Sequence, residues 1–250
     1  MSDVIKIVFS TSFAFAVLRI STPLIFAGIA AVISERAGVV NIAIEGMMLA
    51  SALTGVVISA FTGSWLLGLF GAVVFSMAIS LLLAFFHLNL KANIIMCGLA
   101  LNTMAKGGTI FVLYMLTGNK GASTALASVS VPNINIPILQ DIPVLGEIFS
   151  GQNLLTYLAI LVVIILHVFV FHTSTGIHIS AVGQNPEAVA SVGVSVLHTR
   201  YIALLISGIL SGFGGCFMSM GYMNGFTANM VSGRGFIGLA ANSMGQNAPL

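Results

Sequence analysis

The chain is a succession of long apolar blocks set apart by short polar stretches. Ile7 to Ser34 is apolar apart from Arg19, with Pro23 in its middle. Ala37 to Ala60 carries Glu45 as its one charged residue, Ser64 to Leu90 has only His87, and Ala92 to Thr117 carries Lys106. Asn153 to Phe171 and Tyr201 to Tyr222 are clean spans, and a seventh block opens at Gly235. A helix needs about 20 mostly apolar residues to cross a bilayer. These are continuous runs rather than segments of alternating polarity, so they predict helices and not a β-barrel. The expected fold is all-α: one polytopic transmembrane bundle over residues 1–250, with broken helices, spanning the cell membrane several times.

Composition narrows the function. Hydrophobic residues make up 58% of the chain and charged residues 6%, against roughly 25% charged in an ordinary soluble domain. So few charges cannot cover a soluble surface, and a net charge of +2 is too weak for a phosphate-tracking one. A soluble enzyme and a nucleic-acid binder are excluded; the lipid bilayer is the first partner. No Walker A pattern, H-E-x-x-H or clustered Cys/His ligand set is present, so neither a catalytic site nor a metal or cofactor site is expected. Cys97 and Cys216 sit in apolar runs and read as buried small hydrophobes.

Sidedness follows from the basic residues. If each block crosses once, Arg36, Lys91 and Arg200 fall on one side, and Lys120 with Asp141 and Glu147 on the other. The positive-inside rule makes the first side cytoplasmic. The connection from His172 to Arg200 is then cytoplasmic and Gly118 to Gln152 external. If Arg19 and Pro23 instead mark a broken or hairpin helix, the N-terminus lies inside.

Four features could carry chemistry. Asn41 and Glu45 stand four apart between Gly38 and Gly46, which predicts one polar helix face beside a break. They either line a substrate path or hold a buried Glu in a structural pairing. Asn102 and Lys106 repeat the spacing: Lys106 lines the same path, snorkels toward an interface, or pairs with Glu45. Near the cytoplasmic side, Asn185 is a good N-cap, Pro186 suits the first helical position, and Glu187 suits the positive helix end. Gly193 can end that helix. This predicts a rigid helix of about eight residues, an ordinary connector or a docking element. Finally, Gly208 and Gly212, overlaid by Ser207 and Ser211 and followed by Gly215, allow close helix approach inside the subunit or at a subunit interface.

Three stretches, "TPLIFAGIAAVISERAGVVNIAIEGMML", "AVGQNPEAVASVGVSVLHTRYIALLISGILSGFGG" and "GYMNGFTANMVSGRGFIGLAA", resemble the permease subunits of ATP-binding-cassette (ABC) importers. The resemblance is to the nucleoside branch, grouped with simple-sugar permeases, and runs from Thr22 to Ala241. It implies a non-enzymatic transport subunit working with a cytoplasmic ABC ATPase, which binds the ATP, a paralogous second permease and an extracellular substrate-binding lipoprotein. It places ATPase coupling on Gly183, Asn185, Pro186, Glu187 and Ala188, and sets the first and third stretches around the translocation path. It also implies further helices beyond Leu250. The sequence departs from the family at His178, Ser180 and Gln184. A ribose-like sugar is an alternative substrate, and an ion-coupled secondary transporter, with Glu45 as its coupling acid, an alternative mechanism.

Overall fold

The computed structural model describes residues 10–135 and 145–249. Most of the described chain is helical. Among the described residues, six helices are long and apolar enough to cross a membrane. They are α1 (Thr11–Arg36), α2 (Ile44–Thr62), α3 (Trp65–Ala84, running into a π-turn to Asn89), α4 (Ile94–Thr117), α6 (Leu154–His172) and α9 (Val196–Cys216, running into a π-turn to Tyr222). The short helices are α5 (Leu145–Phe149), α7 (Ser174–Gln184), α8 (Pro186–Ser191) and α10 (Arg234–Met244). Asp141, Pro137 and Pro143, part of the expected external loop, lie outside the described residues.

Most helix starts were written in the sequence. Asn93 accepts from the amides of Ile95 and Met96, Asn153 from Leu155, and Ser195 from His198. Each satisfies donors that the first turn leaves orphaned. Pro23 does not break α1, which is one helix of 26 residues. The hairpin alternative is therefore set aside, and α1 starts at the end opposite Arg36. Arg19 is held at that far end, donating to Tyr222 O at 3.1 Å with its guanidinium 4.8 Å from the Tyr222 ring.

α2 and α9 form the centre, flanked by α1, α3 and α10, with α4 and α6 at the rim. Small residues let α9 sit deep. A Cβ added at Gly208 would lie 2.7 Å from the Ser80 Cβ, one at Gly212 3.0 Å from the Val73 Cα, and one at Gly215 2.0 Å from Met48 O. Ser76 and Ser80 of α3 donate to the carbonyls of Gly208 and Leu204 at 2.6 and 2.5 Å. Ser211 donates within α9 to Ser207 O. The stripe Gly208, Ser211, Gly212 and Gly215 thus faces the subunit's own helices.

Among the described residues, two stretches that enter the bundle are not helical. Residues 37–43 leave the end of α1 and climb into the bundle before α2 begins, so the second block enters its helix at Ile44 rather than Ala37. Residues 223–233 descend from the far end of α9 to the start of α10, with Asn224, Asn229, Ser232 and Gly233 at positive φ. Their upper part is clamped by the connection after α4: Ser123 N donates to Phe226 O, and Ala228 N to Gly121 O, both at 2.8 Å. The seventh apolar block, opening at Gly235, is therefore a half-length helix, α10, reached by this irregular descent.

Candidate functional site

The two irregular stretches meet at Glu45. Its side chain is 2% exposed and belongs to the first turn of α2. One carboxylate oxygen accepts from Gly233 N at 2.7 Å and the other from Gly235 N at 2.8 Å. Gly233 has no side chain with which to cap α10, so Glu45 caps it from another helix. The positive ends of two helices converge on one carboxylate, which favours its charge, and among the described residues its partners are backbone N–H groups rather than a cation. Gly235 is required for the approach, since an added Cβ would sit 2.7 Å from the Glu45 Cα.

The asparagines complete the junction. Asn41 Oδ1 accepts from Ala43 N at 3.1 Å, and its Nδ2 donates to Ser207 Oγ at 2.9 Å. Asn102 Nδ2 donates to Ile42 O at 2.9 Å, and its Oδ1 accepts from Gly46 N at 2.7 Å. Backbone that leaves a helix inside a membrane must find such partners, and these two amides supply them. Asn102 lies eight residues into α4, about 12 Å from its start at 1.5 Å per residue. That is close to the middle of a hydrocarbon core about 30 Å thick.

The predicted face is thereby corrected in its geometry. Asn41 precedes α2 and does not share a helix face with Glu45. Glu45 is bonded to α10, not to Lys106. Asn41, Glu45 and Asn102 are brought together and buried, whereas Lys106, one turn beyond Asn102, is exposed. Among the described residues its ammonium has no partner. It is the thirteenth of 24 residues in α4, so its four-carbon stem falls well short of either end of the helix. An ammonium there costs about 2.5–3.5 kcal/mol on insertion scales unless it is answered.

A second arrangement occupies the end of the bundle that carries Arg36, Lys91 and Arg200. The connection from His172 to Arg200 holds two helices, where the sequence pattern indicated one. The first, α7, was missed because Gly176, His178 and Ser180 dilute its periodicity, although Thr173 caps it by accepting from Gly176 N. The second, α8, starts at Pro186 as expected, with Asn185 Oδ1 accepting from Ala188 N at 3.1 Å. It runs six residues rather than eight, because Val192 and Gly193, at φ +85°, already turn away. Glu187 and Ala188 are exposed on its first turn.

The α7–α8 pair is fixed to α1 and α9. Gly183 touches the end of α1 so closely that an added Cβ would lie 2.0 Å from Arg36 O. Arg36 donates to Asn247 O at 2.6 Å and to Ser180 Oγ at 3.3 Å, and covers the Phe171 ring at 4.6 Å. Arg200 donates to Ala37 O at 3.2 Å, and Asn242 Nδ2 donates to the Glu35 carboxylate. The sequence marks Arg36 only as a topology signal and Ser180 only as a departure from the family, and neither as a contact. A charge at a helix end reads as a topology signal, and only the fold shows it bridging three elements.

The family model of the branched-chain amino acid transport system permease component matches residues 13–248. The nucleoside ABC transporter permease protein NupC of Lactococcus lactis is 36% identical over 238 residues, covering 92% of this chain and 74% of that protein. The guanosine ABC transporter permease protein NupQ of Bacillus subtilis is 36% identical over 94% of this chain and 75% of its own length. A putative glucose ABC transporter permease protein of Haloferax volcanii, TsgC13, is 34% identical over 90% of this chain and 68% of its own. No solved structure matches. With six helices long and apolar enough to span among the described residues and a family match over nearly its whole length, the chain belongs to the branched-chain amino acid transport system permease components and is a multi-pass membrane permease subunit of an ABC importer.

Proposed function

We propose that this permease carries nucleosides. The observation that carries the reading is the meeting of two irregular stretches and two helix N-termini at mid-depth. Such broken elements are where transporters place substrate sites. On this reading Asn41, Glu45 and Asn102 border the path and shape its backbone, while Lys106 lies away from them on the exposed edge of α4. The nucleoside class follows the names of NupC and NupQ; the glucose permease among the relatives supports a sugar as the second reading.

The chain works beside a paralogous second permease. Two differently named permeases of one organism match it, NupB with NupC in L. lactis and NupP with NupQ in B. subtilis. An extracellular binding lipoprotein delivers substrate. A cytoplasmic ATPase takes hold of α8, where Glu187 and Ala188 stand exposed on a capped helix and Gly183 relays its movement to α1. An ion-coupled mechanism is disfavoured, since Glu45 has both oxygens engaged by α10. The test is uptake by the reconstituted complex. Labelled guanosine should enter with ATP and be competed by other nucleosides; entry of glucose or ribose without guanosine would replace the substrate class.

A further inference from the structure

We propose that the edge of α4 carrying Lys106 packs against a second permease of different sequence, and that an aspartate or glutamate midway along that partner's helix holds the Lys106 ammonium. The inference rests on the reading that a second permease exists, and adds where it sits and what it presents. Leu99, Thr103, Lys106, Ile110 and Tyr114 recur at three- and four-residue spacing, so they form one stripe along α4. The other side of α4 is spent on this chain: Gly98, Leu101, Asn102 and Ala105 pack toward α2 and α3. Most of the stripe is uncovered: Thr103 and Lys106 are exposed, Leu99 is 47% and Tyr114 46% exposed, and Ile110 is half-buried. Beside it, nothing lies within 4 Å of a Cβ added at Gly107, which leaves room for a closely approaching helix.

Lipid does not suit this stripe, because an unpaired ammonium in the middle of a span faces protein or water. A water-filled wall does not suit it either. The neighbours one turn away are Ile110 and Thr103, and the Thr103 hydroxyl is already bonded to Leu99 O at 2.9 Å. An apolar stripe with one central cation is the pattern of a packed helix seam that reads its partner by charge.

Charge also argues against a second copy of this chain. Among the described residues Glu45 is engaged by α10 and Glu35 by Asn242. Glu147 accepts from Thr11 at the far end, and Glu187 lies on α8 beyond the spans. Among the described residues, a second copy would bring no free carboxylate to this depth, and it would add another Lys106. A different chain with an acid at that level completes the pair.

The test uses the complex co-expressed with the ATPase and second permease of the same transport system. A photo-crosslinking residue, p-benzoylphenylalanine, is placed at Thr103 or Ile110. The crosslink should map to a permease of different sequence, on a helix with Asp or Glu within one turn of the captured site. Lys106→Glu should lower recovery of that partner by about tenfold or more, since it sets two acids together in the membrane. Exchanging the partner's acid for Lys in that background should bring recovery back to within about twofold. Lys106→Met guards against misfolding: it should elute as a monodisperse protein and still lose the partner. Crosslinks to lipid alone, to a second copy or back into the same chain would overturn the inference, as would unchanged recovery with Lys106→Glu. If the ATPase is recovered normally in those cases, the importer reading stands and only this interface falls. If the ATPase is never recovered with the chain, both fall.

Discussion

Glu45 holds two backbone N–H groups at the start of a helix that is far away in sequence, and that dictates what its replacement does. Glu45→Gln keeps the shape but turns one oxygen into a donor facing another donor. One charge-assisted bond is lost, worth about 1.5–3 kcal/mol. The bundle should still assemble, while α10 loosens and uptake falls severalfold. Uptake and complex recovery measured together check this, and unchanged uptake at normal expression would reject a role at the path. Gly183→Ala acts through space rather than charge. Its methyl has nowhere to go, with Arg36 O 2.0 Å from the ideal position, so α7 must shift away from α1. Substrate-stimulated ATP hydrolysis should drop while basal hydrolysis of the ATPase persists; a normal stimulation ratio would mean that this contact relays nothing.

At the level of elements, α8 is short, capped by Asn185, which parts it from α7, and set off from α9 by a turn at Gly193. Glu187→Arg reverses a charge at its positive end, a local cost of about 0.3–1 kcal/mol, too small to unfold a bundle. Ala188→Trp adds bulk to the exposed first turn. Both should abolish ATPase co-purification or coupled hydrolysis, and normal values in both would remove α8 from the coupling role. The spans and this cap were legible in the sequence, because long apolar runs and Asn-Pro-Glu each have one dominant physical meaning. The start of α2 was not. Val39 to Ala43 are apolar enough to continue a helix, and only Asn102 and Ser207, distant in sequence, make it cheaper for them not to. The geometry of Asn41 and Glu45 was hidden for a related reason: an i, i+4 spacing assumes the helix that residues 37–43 abandon. Lys106 does share a helix with Asn102, and its exposure follows from the place of α4 at the rim of the bundle.

For the molecule as a whole, the basic residues Arg36, Lys91 and Arg200 gather at one end, together with α7 and α8. That end should be cytoplasmic. Single cysteines at Ser130 and Ser191, both exposed, should label from opposite faces of intact cells; labelling of Ser191→Cys from outside would invert the orientation. The cap on α10 also has a consequence for how the chain is made. α10 carries no N-terminal cap of its own, and its donors are answered across 188 and 190 positions of sequence. Glu45 is synthesised early and enters the bilayer with its carboxylate unanswered until the last described helix arrives. A nascent chain therefore carries a marker of incompleteness at its centre for most of its synthesis. Chains halted before Gly233 should be the ones that membrane proteases clear fastest, and Glu45→Leu should lengthen the lifetime of such fragments.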